Sequence, residues 1–159
     1  IELPFWTISI DHLRDAGVLP GARIARGEFR WRDMRAGFFD GFHRSLAAYA
    51  EAGNNLIVEH ILDTPGWHAQ LASLLVPFDV FVVGVHAALP ELIRREAVRG
   101  DRAIGSAEQD FKTLHRGLSY DFEVSTTERP IGENVEAILD AWRQRGSTRF
   151  FDQAIISGR

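Results

Sequence analysis

The chain has 159 residues, 45% hydrophobic and 25% charged, with no cysteine and a formal net charge of −4. These values fit one globular domain and exclude a disordered, collagenous or disulfide-stapled chain, a thiolate nucleophile and a Cys-based metal site. The acidic balance speaks against sequence-independent nucleic-acid binding, no apolar run reaches the length of a membrane span, and no segment reads as a signal peptide, so a cytoplasmic protein is expected.

The elements alternate. Trp6-Thr7-Ile8-Ser9-Ile10 reads as a strand ending at Asp11. A helical turn, a Pro20-Gly21 break and a loop follow. Trp31–Ala52 is the first long helix, with Phe38, Phe42, Leu46 and Tyr49 as its buried stripe and Gly53 as its stop. Asn55–Glu59 is a second strand, and Pro65 opens a helix through Leu75. Phe78–Val85 is apolar almost throughout and predicts a strand covered on both faces. Leu89–Val98 is helical and Arg-rich. Arg99-Gly100-Asp101-Arg102 interrupts it, and Ser106–Arg116 resumes a helix with Ser106 as its N-cap. Tyr120–Thr126 is the last strand. Ile131, Val135, Ile138, Leu139 and Trp142 predict a final amphipathic helix. Strand–helix alternation of this kind implies an α/β three-layer sandwich with a mostly parallel sheet, in which ligands bind at the carboxyl ends of strands.

The residues just after the strands are therefore the candidates. Asp11 is placed to take a proton from a substrate hydroxyl, or to cap the helical turn that follows it. Glu59, beside His60, is placed to help hold Mg²⁺, directly or through water. The positive charge is almost all guanidinium, 17 Arg against the single Lys112. Arg95, Arg99 and Arg102 cluster around the Gly100 bend; they suit a polyphosphate, or form a solvated face paired with Glu91, Glu96 and Asp101. The six His residues show no zinc spacing and read as structural. A G-x-S-x-G elbow and a G-x-G-x-x-G fingerprint are absent. So is the phosphate-binding G-x-x-x-x-G-K-[ST] loop, and Lys112 lies inside a helix.

Four segments carry a resemblance: Ile8-Ser9-Ile10-Asp11-His12-Leu13, Leu56-Ile57-Val58-Glu59-His60, Arg95-Glu96-Ala97-Val98-Arg99-Gly100-Asp101-Arg102, and Tyr120-Asp121-Phe122-Glu123-Val124-Ser125-Thr126-Thr127. In order and spacing, from about residue 7 to residue 142, they resemble the chloramphenicol phosphotransferase family. The resemblance implies a P-loop kinase fold and transfer of the ATP γ-phosphate, with Mg²⁺, to a hydroxyl of a small molecule. It implies Asp11 as base, Arg99 and Arg102 in a lid over the phosphates, and Thr126 and Thr127 in the loop near the adenine; Arg95, from the same cluster, is a further candidate for binding the nucleotide. Glu59-His60 stands where the family can show a pair of Asp. The family's first strand and phosphate loop are expected upstream of Ile1, as roughly 20–30 further residues. The kinase-like domain is expected over residues 1–145, with a lid at about 95–106 and a tail over 146–159. Two other readings stay open: a non-catalytic nucleotide-binding or interaction module, and a nucleoside or nucleotide kinase. Val18–Phe39 is expected to line the acceptor side, without choosing the acceptor, and the oligomeric state is open.

Overall fold

The computed structural model describes residues 2–100 and 103–147. Their elements run β1 (Phe5–Ser9), α1 (Ile10–Asp15), α2 (Gly21–Ala25), α3 (Trp31–Glu51), β2 (Asn55–Glu59), α4 (Trp67–Leu75), β3 (Val83–His86), α5 (Leu89–Arg99), α6 (Ser106–Thr113), β4 (Phe122–Ser125) and α7 (Ile131–Arg143). The fold is the expected α/β class, with strands paired in parallel across helical crossovers. β1 pairs with β2 and β3 with β4, as two-stranded sheets. The chain divides into two compact units. The first holds β1, α1–α3 and β2, the second β3, α5, α6, β4 and α7, with the residues of α4 divided between them.

In the first unit the core is the face of α3 formed by Phe39, Phe42, His43 and Leu46. The three- and four-residue spacing puts these side chains on one stripe. This corrects the expected stripe: Phe38 is half-buried and Tyr49 is exposed. The buried face turns to include His43 because His60, just past β2, meets it. Phe39 and Phe42 meet edge to face, with centroids 6.4 Å apart, and both rings also flank His60 at 5.7 and 5.6 Å. Each buried Phe contributes roughly 1.5–3 kcal/mol through the apolar surface it removes from water. α3 stops where Gly53 takes φ 85°: Gly53 N–H donates to the Ala50 carbonyl at 2.9 Å and Asn54 N–H to that of Tyr49 at 3.1 Å. This left-handed closure ties off carbonyls the helix cannot use.

In the second unit the apolar run 78–85 is not one strand; β3 begins only at Val83. Upstream of it Val82 N–H donates to the Asp121 carboxylate at 2.8 Å, and Asp121 N–H returns a bond to the Val82 carbonyl at 2.9 Å. A side chain thus satisfies a backbone donor that a ladder would otherwise take. β4 is likewise shorter than expected, four residues from Phe122 to Ser125. Val124 is buried in it, and Asn134 of α7 donates to the Ser125 carbonyl at 3.0 Å, fixing α7 on β4.

α6 begins at Ser106 as expected, but Ser106 is not its cap. Glu96 of α5 reaches across, and its carboxylate accepts from Gly105 N–H at 2.9 Å and Ala107 N–H at 2.7 Å. An anion on the first N–H groups of a helix satisfies orphan donors and opposes the positive end of its dipole. Glu96→Gln keeps one acceptor and removes the charge. It should destabilise the protein by about 0.5–1.5 kcal/mol, readable as a lower urea midpoint at unchanged slope. Among the described residues no helix is long and apolar enough to cross a membrane.

Candidate functional site

The first unit brings two sequence candidates to one end of a sheet. β1 and β2 run parallel with Ser9 opposite Glu59, so both strands finish at the same edge. The chain turns from β1 directly into α1. Ser9, buried, is the N-cap: its hydroxyl accepts from His12 N–H at 3.0 Å. Asp11 is therefore neither the last strand residue nor the cap, and both of those expectations are corrected. It lies in the first turn of α1, exposed, and its carboxylate meets the Arg14 guanidinium at 2.9 Å. A side chain in that position stands on a capped turn and faces solvent.

Ser9→Ala would release the turn that aims Asp11. It should cost about 0.5–2 kcal/mol of stability, measured by thermal or urea unfolding.

Glu59 ends β2 and is exposed. His60 follows and turns inward, its Nε2 2.7 Å from Nε2 of fully buried His43, with the rings stacked at 4.9 Å. At that distance one imidazole donates its N–H to the other, so the pair holds one proton between the two facing nitrogens. This contact anchors the residue after Glu59 to α3 and fixes where β2 ends. Sequence reading classed both histidines as structural. It missed their pairing, because a contact across 17 residues leaves no local spacing signal.

The second unit brings together Arg95, Thr126 and Thr127. Arg95 of α5 donates from Nε to Glu91 at 2.7 Å, from Nη1 to the Thr126 hydroxyl at 3.0 Å and from Nη2 to the Thr126 carbonyl at 3.2 Å. The Thr126 hydroxyl donates to the His86 carbonyl at 3.1 Å, and Thr127 Oγ1 accepts from Ala88 N–H at 2.8 Å. The three residues lock the loop after β4 to the end of β3 and to the start of α5. The Arg94 and Arg95 guanidiniums hold the Glu91 carboxyl down to about 2, so this clamp stays charged across the physiological range. Arg99 is the last residue of α5, beside Gly100, which closes the helix at φ 66°. Arg102 lies outside the described residues, as does Asp101.

At the carboxyl ends of β3 and β4 lies an open cleft of about 460 Å³, lined by His86, Glu123, Thr127 and Glu128 among others. His86 and Glu123 in its lining belong to a side-chain network that sequence reading did not find. His86 Nε2 lies 2.8 Å from a Glu123 carboxylate oxygen, and His115 Nδ1 lies 2.6 Å from the Tyr120 hydroxyl.

Residues 1–143 match the profile of the chloramphenicol phosphotransferase-like protein family. The chain belongs to that family. The chloramphenicol phosphotransferase-like assignment agrees with the parallel α/β elements. Two relatives from Mycobacterium tuberculosis are similar over a shorter stretch: "Putative O-phosphotransferase Rv2636" of strain ATCC 25618 / H37Rv and "Putative O-phosphotransferase MT2714" of strain CDC 1551 / Oshkosh. Each is 31% identical over 101 residues, which is 64% of this chain and 45% of the relative. The match thus spans under half the length of these curated relatives.

Proposed function

We propose that the protein is an ATP-dependent phosphotransferase that phosphorylates a hydroxyl of a small molecule in the cytoplasm, with Asp11 as the base. The observation that carries this reading is the register of the parallel β1–β2 pair. It sets the first turn of α1, and with it the exposed Asp11 carboxylate, at the same strand ends as Glu59 in a chain of this family.

The residues fit a nucleotide–Mg²⁺ pair in a particular way. Mg²⁺ keeps several waters and takes one or two carboxylates plus substrate phosphates. Glu59, exposed at a strand end, suits such a partial contact. Among the described residues no group of three or more His, Asp or Glu forms a protein cage for a metal. ATP supplies the phosphoryl group, and Mg²⁺ offsets charge on its oxygens. Asp11 accepts the hydroxyl proton of the acceptor as the oxygen turns nucleophilic. Arg14, 2.9 Å away, pairs with the carboxylate before the acceptor arrives. Arg99 and Arg102 donate to phosphate oxygens, a task suited to guanidinium forks. Arg95 acts differently: tied to Glu91 and Thr126, it keeps the loop of Thr126 and Thr127 fixed for the nucleotide base.

The test is a screen of the full protein with ATP against hydroxylated metabolites and antibiotics, read as acceptor-dependent ADP release and by ³¹P spectra of the product. A phosphate ester on one acceptor class supports the proposal. ATP binding without transfer to any acceptor favours a non-catalytic nucleotide module. Transfer confined to nucleosides or nucleotides moves the protein to a nucleoside or nucleotide kinase.

A further inference from the structure

The face of the β3–β4 pair that carries Gly84 and His86 also carries Glu123 and Ser125, because Gly84 lies opposite Glu123 and His86 opposite Ser125. Two rings from the turn after α6 complete it. Tyr120 lies flat on Gly84, so close that a Cβ there would sit 2.6 Å from the ring. His115 lies against His86, with ring centroids 4.1 Å apart. The contacts form a line: Glu123 to His86 at 2.8 Å, His86 to His115 by ring contact, and His115 to the Tyr120 hydroxyl at 2.6 Å. Residues 114–121 are thus fastened to the sheet by the imidazole pair, by Tyr120 on Gly84 and by the bonds between Asp121 and Val82.

Such a joint tolerates one cation. With His86 donating to Glu123, a neutral His115 accepts from the Tyr120 hydroxyl, and every group has its partner. A proton on each ring places two positive charges about one ring-width apart, with a single carboxylate, Glu123, in contact with the nearer ring. Glu123 from β4 and Tyr120 from the turn leading into β4 act on the pair, and Glu128 lines the same cleft as His86.

We propose that the His86–His115 contact is an acid-sensitive latch: when both rings are protonated they part, and the turn 114–121 lifts from β3. The inference stands on this network alone and not on the catalytic reading. Partial burial, and then the charge of His86, push His115 below the ordinary imidazole range, with Glu123 opposing. The sign follows. The unfolded or lifted state takes the proton first, so the closed state is favoured above about pH 6.5 and loses ground as pH falls below it.

The experiment is hydrogen exchange on the full protein at pH 7 and pH 5, corrected for the intrinsic rate, alongside imidazole titration by long-range ¹H–¹⁵N spectra. Exchange of 114–121 should rise at least tenfold at pH 5, while β1 and β2 change little. His115→Phe keeps a flat ring without a charge and should abolish the pH dependence. Glu123→Gln should move the opening to higher pH, because it removes the anion that offsets the second cation in the closed state. Equal protection of 114–121 at the two pH values overturns the latch. So does an opening that persists in His115→Phe or, where that variant does not fold, one whose midpoint is unmoved by Glu123→Gln.

Discussion

Asp11→Asn in the full protein should lower kcat by about 10²–10⁴-fold, the usual contribution of a positioned general base. ATP affinity should stay within about twofold. The substitution keeps size and hydrogen-bonding capacity but cannot accept the hydroxyl proton. It also breaks the pair with Arg14, both partners being more than half exposed. Exposed pairs of this kind contribute about 0–1 kcal/mol, so the unfolding midpoint should move by a few degrees at most. The combination separates chemistry from folding: a large kcat loss, an unchanged nucleotide Kd and a near-native midpoint. A kcat within threefold of wild type would remove Asp11 from the reaction. Glu59→Gln is the informative companion. If Glu59 meets Mg²⁺ only through water, its loss should raise the Mg²⁺ requirement and leave saturated turnover within about tenfold.

The α/β alternation was legible because each element declares itself locally. β2 falls on the five residues read as a strand, and α3 ends at the glycine read as its stop. What could not be read depends on partners far along the chain. The buried stripe of α3 rests on Phe39 and His43 rather than Phe38 and Tyr49, because Phe39, Phe42 and His43 all meet His60, which arrives only after β2. Residues 78–82 are apolar enough for a strand, yet Asp121 takes the backbone donor of Val82. Ser106 has the right chemistry for a cap, and Glu96 from another helix outcompetes it with a charged acceptor.

The candidate site divides in the same way. Asp11 and Glu59 were singled out because carboxylates after strands stand out in sequence. Their setting was not, since Ser9 caps the turn and His43 holds the residue after Glu59. Arg95 was read with Arg99 and Arg102 as one phosphate cluster. The other reading, a face paired with Glu91, has its contact in the structure, and the same guanidinium also spans α5 and the loop after β4, an attachment that depends on Thr126, 31 residues away.

Gly84→Ala should produce the largest stability loss of any single-methyl addition proposed here, about 1–3 kcal/mol. The backbone of Gly84 is not the reason, since its φ is not among the positive ones. The cause is the Tyr120 ring: an added Cβ would meet Cδ2 at 2.6 Å, Cγ at 2.8 Å and Cε2 at 2.9 Å. These atoms include the root of the ring, so a small rotation of its far end does not relieve the clash. Either β3 shifts against β4 or Tyr120 leaves. If Tyr120 leaves, His115 loses its 2.6 Å partner, a further cost of about 0.5–1.5 kcal/mol. For a chain of this length the unfolding midpoint should fall by about 2–10 °C. A double-mutant cycle isolates the cause. In a Tyr120→Ala background, Gly84→Ala should cost less than about 0.5 kcal/mol, because the obstructing ring is gone. If the penalty is as large without the ring as with it, the methyl is meeting something else, and the ring-on-glycine packing that seats residues 114–121 on the sheet is wrong.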